Sequence, residues 1–107
     1  MEHVAIEKMY DGTEFVITKK RWAHVLEHHP ELSNSLNIIL EAVRNPDEVY
    51  IDPRGTYHIL RRARKYSDYI VIISKKREAK TYLTTAYYTS LKRKERRYRT
   101  YTRQKLS

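Results

Sequence analysis

The sequence of 107 residues contains no cysteine and only two glycines. Without cysteine the chain cannot form disulfides, use a thiolate nucleophile or build a Cys-ligated zinc or iron–sulfur site. Its first residues lack a basic segment followed by an apolar one, so we expect no signal peptide. No apolar run approaches the ~20 residues that cross a bilayer. We therefore expect one small cytoplasmic domain with no membrane partner.

Acidic residues are few relative to basic ones. The chain has 22 Lys and Arg against 13 Asp and Glu, a formal net charge of +9. An excess of this size is typical of proteins that bind a polyanion, most often nucleic acid. The aromatic residues are ten Tyr, one Trp and one Phe. Tyrosines can stack on bases and hydrogen-bond phosphates, although they also fill half-buried strand positions.

The first half of the chain predicts a hairpin followed by two helices. Asp11–Gly12 is a typical hairpin turn, and it lies between the candidate strands His3–Met9 and Glu14–Thr18. Residues 19–29 read as a short helix that Pro30 interrupts. Apolar residues from Leu32 to Val43 then recur at the helical period, which indicates a second helix with one apolar side.

The second half predicts strands and a basic extension. Four β-rich runs joined by short loops favour a four-stranded antiparallel sheet: Glu48–Ile51, Thr56–Ala63, Tyr69–Ser74 and Lys80–Thr89. The strongly basic end predicts either an edge strand at Tyr98–Thr102 or a basic arm. The predicted fold is therefore α+β, with the N-terminal hairpin and two helices packed on that sheet. Residues 1–90 form the domain and residues 91–107 the basic extension.

Three of the five histidines lie in the segment RWAHVLEHHPEL, residues 21–32. On a helical wheel His29 falls with the apolar residues, whereas His24 and His28 lie together on the opposite side with Arg21. A zinc site is the least favoured interpretation, because zinc normally takes three or four ligands and HVLEH does not match the HExxH motif. A solvated surface and acid–base catalysis both remain open.

Acid–base catalysis fits the composition because RNA cleavage can proceed without metal or cysteine. RNA supplies its own nucleophile, the 2′-hydroxyl, so an enzyme needs only a base, an acid and cations at the phosphate. Histidine is suited to both proton roles, since its unperturbed pKa is ~6.5. A histidine beside a basic groove therefore predicts ribonuclease chemistry.

Four segments in order, ITKKRWAHVLEHHPEL, NPDEVYID, YIVIIS and TTAYY, resemble the phage and polymorphic-toxin nucleases of the barnase–EndoU–colicin–RelE (BECR) group. The resemblance spans about Ile17 to Tyr88. It implies a metal-independent endoribonuclease without cofactor, whose site lies across the sheet. Its products would be a 2′,3′-cyclic phosphate and a 5′-hydroxyl. The implied partners are RNA and, as a candidate, an acidic antitoxin or immunity protein.

The resemblance also implies the catalytic residues. A helix histidine corresponds to His24, with His28 added because it shares the same side of the helix. A basic residue on an early sheet strand corresponds to Arg61, with its neighbour Arg62 as the second choice, and TAY on the late strand corresponds to Thr85 and Tyr87. The residues expected to bind the RNA backbone are Arg21, Arg54, Arg62, Lys92, Arg93, Lys94, Arg96 and Arg97.

Two other classes of function explain the same features. A non-catalytic RNA- or DNA-binding module on the same fold would need the charge and the tyrosines but not the histidines. A structural or partner-binding protein would use the basic surface to contact an acidic protein. Cleavage of RNA distinguishes the enzyme from both.

Overall fold

The computed structural model describes residues 2–106 and confirms the α+β class. The strands in this range are β1 His3–Lys8, β2 Glu14–Thr18, β3 Glu48–Ile51, β4 Tyr57–Arg62, β5 Tyr69–Arg77, β6 Lys80–Thr89 and β7 Thr102–Arg103. The helices are α1 Lys19–His28, α2 Leu36–Arg44 and α3 Leu91–Tyr98, and a 3-10 helix at Pro30–Asn34 links α1 to α2.

All seven strands form one mixed sheet in the order β1-β2-β6-β5-β4-β3-β7. The prediction of a four-stranded antiparallel sheet is wrong in this detail. Strands β3 to β6 do form an antiparallel meander, but the N-terminal hairpin extends the sheet through β2. Residues 14–16 of β2 pair in parallel with residues 80–82 of β6. Three consecutive residues of β2, Phe15 to Ile17, are buried, as is typical of an interior strand covered on both faces.

The basic end folds back onto the sheet as helix α3, where the sequence predicted a strand or an arm. The side chain of Ser90 caps this helix by accepting a hydrogen bond from the backbone N–H of Arg93. The helix ends at Tyr98, whose side chain is buried. An edge strand does follow, but at β7, which pairs with Tyr50 and Ile51 of β3.

Apolar side chains cover both faces of the sheet. On the face that packs against α1 and α2, which we call the α1–α2 face, Ile59, Ile70, Ile72 and Ala86 are fully buried. On the opposite face, the α3 face, Leu60 and Val71 pack with Tyr98 of α3. The two faces follow from strand alternation, because successive residues of a strand point to opposite sides.

Glu48 joins α3 and β7 to the sheet. Its carboxylate is 7% exposed and lies 2.7 Å from the Lys94 ammonium, 2.5 Å from the Tyr50 hydroxyl and 3.9 Å from the Arg103 guanidinium. Burial alone would raise the pKa of Glu48, but hydrogen bonds from Lys94 and Tyr50 and the two cations outweigh burial and hold that pKa below its usual value. The carboxylate therefore stays charged and favours the folded chain at neutral pH.

No helix within residues 2–106 is both long enough and apolar enough to cross a membrane.

The substitution Glu48→Gln tests this connection. Gln removes the charge and leaves the Lys94 ammonium without its partner, so we expect the free energy of unfolding to fall by about 2–3 kcal/mol. Urea denaturation followed by circular dichroism measures the change. As a control, Glu14→Gln removes an exposed ion pair with Lys80 and should cost less than about 1 kcal/mol. Equal effects of the two substitutions would contradict the role of Glu48.

Candidate nucleic-acid interface

A cleft of about 840 Å³ opens between the start of α1 and strands β5 and β6. We call it the basic cleft, because four cationic side chains and one carboxylate line it, together with a histidine. The charged and polar side chains of its lining are Thr18, Lys20, Arg21, His24, Lys75, Arg77, Glu78, Tyr82 and Thr84. The excess of cations favours a ligand with several negative charges.

The end of β2 places α1 beside this cleft. Strand β2 pairs with β6 only as far as Val16, and Thr18 then caps α1 by accepting a hydrogen bond from the backbone N–H of Arg21. Val25 is the buried residue of α1, while Arg21 and His24 are exposed and line the cleft. The predicted division of the α1 side chains is therefore confirmed.

A β-bulge in β6 sets which side chains reach the basic cleft. Ile73 of β5 lies opposite Thr85, but the next residue of β5 lies opposite Leu83, so Thr84 is an extra residue. Lys75 lies opposite Tyr82. Because Ile73 and Lys75 point to the same side of β5, Tyr82 shares the α3 face with Thr85. Without the bulge, simple alternation would place Tyr82 on the other face.

His28 and His29 continue the line of histidines along α1. The rings of His24 and His28 are 4.7 Å apart in an edge-to-face arrangement, and both residues are exposed. His29 is half-buried, with its Nδ1 3.6 Å from a carboxylate oxygen of Glu31 and its ring 6.3 Å from that of Tyr87. His29 thus connects the end of α1 with the late part of β6.

The structure does not bring Arg61 together with His24. The Arg61 side chain lies on the α1–α2 face, where it donates to the backbone carbonyl of Asn45 and lies 3.6 Å from Glu41. There it lines a second cleft of about 590 Å³, with Asp47 and residues 104–106. The physical reason is strand alternation, which directs Arg61 to the same side as Ile59 and Arg62 to the α3 face.

Thr85 and Tyr87 share the α3 face, as their spacing predicted, since they lie opposite Ile73 and Val71 of that face. Thr85 is half-buried. The ring of Tyr87 also contacts α3, because the Arg97 guanidinium lies 5.7 Å from its centroid. Thr85 and Tyr87 therefore lie on the same face of β6 as Tyr82, which lines the basic cleft.

A buried chain of hydrogen-bonding groups ends at Tyr87. Asp52 lies 3.1 Å from Nε2 of His58, Nδ1 of His58 lies 3.0 Å from the Tyr98 hydroxyl, and that hydroxyl lies 3.5 Å from the hydroxyl of Tyr87. Burial raises the pKa of Tyr98 well above its usual value, so the hydroxyl stays protonated and can donate to His58. This chain fixes the position of Tyr98, and with it the end of α3.

Burial also lowers the pKa of His58, with a further contribution from the charge of Arg97, and the hydrogen bond and charge of Asp52 oppose it only in part. The imidazole is therefore neutral at pH 7. One tautomer satisfies both neighbours: Nε2–H donates to Asp52, and Nδ1 accepts from Tyr98.

Arg21 lines the basic cleft, and the other cations predicted to bind RNA fall into three groups. Lys94 and Arg62 lie against the ring of Tyr69, at 5.2 and 5.7 Å, and Lys94 also neutralises Glu48, so its charge is already paired. Arg54 is exposed in the turn between β3 and β4. The exposed cations of α3 are Lys92, Arg93, Arg96 and Arg97.

Sequence reasoning missed Lys20, Lys75, Arg77 and Tyr82 as members of the cleft. Lys75 and Arg77 did carry a signal, because residues two apart on a strand share a face and both lie at the end of the apolar run of β5. No sequence signal marked Tyr82, since the bulge determines which face of the sheet its side chain occupies. The buried chain through His58 joins residues up to 46 positions apart, which no local pattern reveals.

Within residues 2–106, no three His, Asp or Glu side chains are grouped so that they could hold a metal ion. Comparison with protein-family models gives no match, and comparisons with curated proteins and with solved structures give none at a significant level.

The neutral state of His58 predicts acid-sensitive stability. In the unfolded chain His58 gains a proton as the pH falls below ~6.5, whereas the folded chain resists protonation. The free energy of unfolding should therefore be fully present above that pH and decrease between pH 7 and 5. His58→Asn should flatten this dependence, whereas the exposed control His28→Asn should retain it. Urea denaturation at several pH values measures the slope, and an unchanged slope in His58→Asn would contradict the prediction.

Proposed function

We propose that this protein is a metal-independent endoribonuclease that binds the RNA phosphodiester in the basic cleft. One observation carries the proposal: His24 lies in the same cleft as Arg21, Lys75 and Arg77. A side chain of the type that exchanges protons near neutrality thus lies beside cations that can neutralise a phosphate.

His24 removes the proton from the 2′-hydroxyl in the proposed reaction. The 2′-oxygen then forms a bond to phosphorus, and the bond from phosphorus to the 5′-oxygen breaks. Lys75 and Arg77 stabilise the extra negative charge of the pentacovalent phosphorane. The leaving 5′-oxygen takes up a proton, so the products are a 2′,3′-cyclic phosphate and a 5′-hydroxyl.

Two residues are candidates for donating that proton. The His28 ring is 4.7 Å from that of His24, and the hydroxyl of Tyr82 lies in the same cleft. The hydroxyl of Tyr87 already lies next to that of Tyr98, so we assign Tyr87, like Thr85, to contacts with the RNA beside the cleft. Lys75 and Arg77 take the place that the sequence gave to Arg61.

Membership of the barnase–EndoU–colicin–RelE group is part of this proposal. The four sequence segments that resemble the group support it. So does the position of Thr85 and Tyr87 on the same face of β6 as Tyr82, which lines the cleft with His24. The proposed site of action is the cytoplasm. RNA is the proposed substrate, and an acidic antitoxin or immunity protein that covers the basic cleft is the proposed protein partner.

Incubation with total RNA in EDTA tests the activity. Wild-type protein should cleave the RNA despite chelation and leave 2′,3′-cyclic phosphate ends. His24→Ala should reduce the rate by about 10²-fold or more, the usual contribution of a general acid or base. Arg61→Met should retain activity, because Arg61 lies in the second cleft.

Three outcomes would refute this assignment. An intact RNA pool or loss of cleavage on chelation would exclude the metal-independent mechanism. Full activity of His24→Ala would remove His24 from it. Retained activity of Arg61→Met together with a lower rate for Lys75→Met would instead support the revised set of cations.

The second candidate function is RNA binding without cleavage. It is favoured by the cations on α3, because Lys92, Arg93 and Arg96 are exposed on a different helix from His24. This function requires binding that weakens steeply with salt and that His24→Ala leaves unchanged.

A further inference from the structure

We propose that Tyr66, backed by Tyr88, is a stacking site for an unpaired base of single-stranded RNA. The site lies at the end of β6 that is farther from the basic cleft. This inference rests on the proposed function, because it names the form of RNA that the protein takes. It extends that function to a part of the surface that the cleavage chemistry does not use.

Tyr66 is held in an unusual conformation at the protein surface. Its side chain is 61% exposed, and its backbone φ is 69°, in the left-handed region that non-glycine residues rarely adopt. Two backbone hydrogen bonds fix the loop: Ala63 N–H to Asp68 carbonyl, and Ser67 N–H to Lys65 carbonyl. A strained residue that the surrounding structure holds in place points to a function for its side chain.

Tyr88 gives the exposed ring a rigid neighbour. The two ring centroids are 5.0 Å apart, and the planes are inclined by 44°. The hydroxyl of Tyr88 lies 2.8 Å from that of Ser35, which is buried, and the Tyr88 ring packs against the core of the α1–α2 face. Tyr66 therefore leans on a fixed ring and keeps part of its own ring open to solvent.

Exposed cations lie on the two segments that adjoin this aromatic pair. Arg64 and Lys65 are exposed in the same loop. Leu91 is 42% exposed, and its backbone N–H bonds to the carboxylate of Asp68, which joins the first turn of α3 to the loop. The exposed cation Lys92 follows directly on that turn. An aromatic face among positive charges matches single-stranded nucleic acid, whose bases stack while its phosphates pair with Lys and Arg.

Strand β6 connects this site with the proposed reaction centre. Thr84 lies in the basic cleft, and Tyr88 is four residues farther along the strand, at roughly 13 Å for a rise of ~3.3 Å per residue. Tyr87 precedes Tyr88 in the strand but points to the opposite face, the α3 face, beside His29 and Arg97. Stacking on Tyr66 requires a base with a free face, so the base bound there must be unpaired.

The test uses two short chains that the enzyme cannot cut. One is a 2′-O-methyl oligoadenylate, and the other is the same 2′-O-methyl sugar–phosphate chain without bases. Fluorescence anisotropy measures the dissociation constant of each. Wild-type protein should bind the chain with bases about tenfold more tightly, within the range for base–aromatic stacking. Tyr66→Phe should keep this preference and Tyr66→Ala should lose it, while thermal melting confirms that both variants fold.

Each outcome decides the proposal. No binding of either chain, equal binding of both by wild-type protein, or a preference that survives Tyr66→Ala overturns the stacking site. Equal weakening of both chains by Tyr66→Ala overturns it too, since Tyr66 would then contact the backbone. Because these chains cannot be cleaved, the result is independent of the cleavage assay. A preference for bases without cleavage of total RNA supports the stacking site and refutes the ribonuclease.

Discussion

The carboxylate of Glu48 is the charge on which the arrangement of the α3 face depends. Eight Lys and Arg follow Ser90, and such a segment would repel itself and stay solvated if nothing attracted it to the sheet. Glu48 is buried on β3, where its carboxylate pairs with the Lys94 ammonium and accepts a hydrogen bond from the Tyr50 hydroxyl, with Arg103 close by. Tyr98 then stacks on Tyr50 at a centroid distance of 4.7 Å. One buried anion thereby gives a basic segment a defined position.

Local patterns in the sequence predicted most of the elements. The turn at Asp11–Gly12, the two helices before the meander and the division of the α1 histidines depend on neighbouring residues, and the structure contains all of them. The parallel pairing of β2 with β6 joins residues more than 60 positions apart, so no local signal specifies it. Helix α3 was not predicted, because its basic composition favoured a solvated segment. Two local signs of a helix were present, the Ser90 cap and the helical spacing of Leu91, Lys94 and Tyr98.

The candidate site, like the fold, was predictable where it depends on local patterns and not where it depends on contacts between distant residues. The helical wheel placed Arg21 and His24 correctly, since it needs only the period of a helix. Alternation along β4 predicted that Arg61 and Arg62 point to opposite faces of the sheet. It did not predict which of the two faces α2 covers. The covered face depends on tertiary packing, which places Arg61 in the second cleft and away from His24. Lys75, Arg77 and Tyr82 became part of the site only through the registers of β5 and β6.

The extra residue at Thr84 is a position at which β6 can change its length without turning its side chains to the other face. Residues 80–83 lie on one side of the bulge and residues 85–89 on the other, and the bulge sets how the two segments are rotated relative to each other. Loss of Thr84 would leave Leu83 directly before Thr85 in regular alternation, so Leu83 would stay in the core and Tyr82 on the α3 face. Related chains should therefore tolerate a deletion at Thr84 better than one at Ala86, because loss of Ala86 removes a core residue and reverses the alternation between Thr85 and Tyr87.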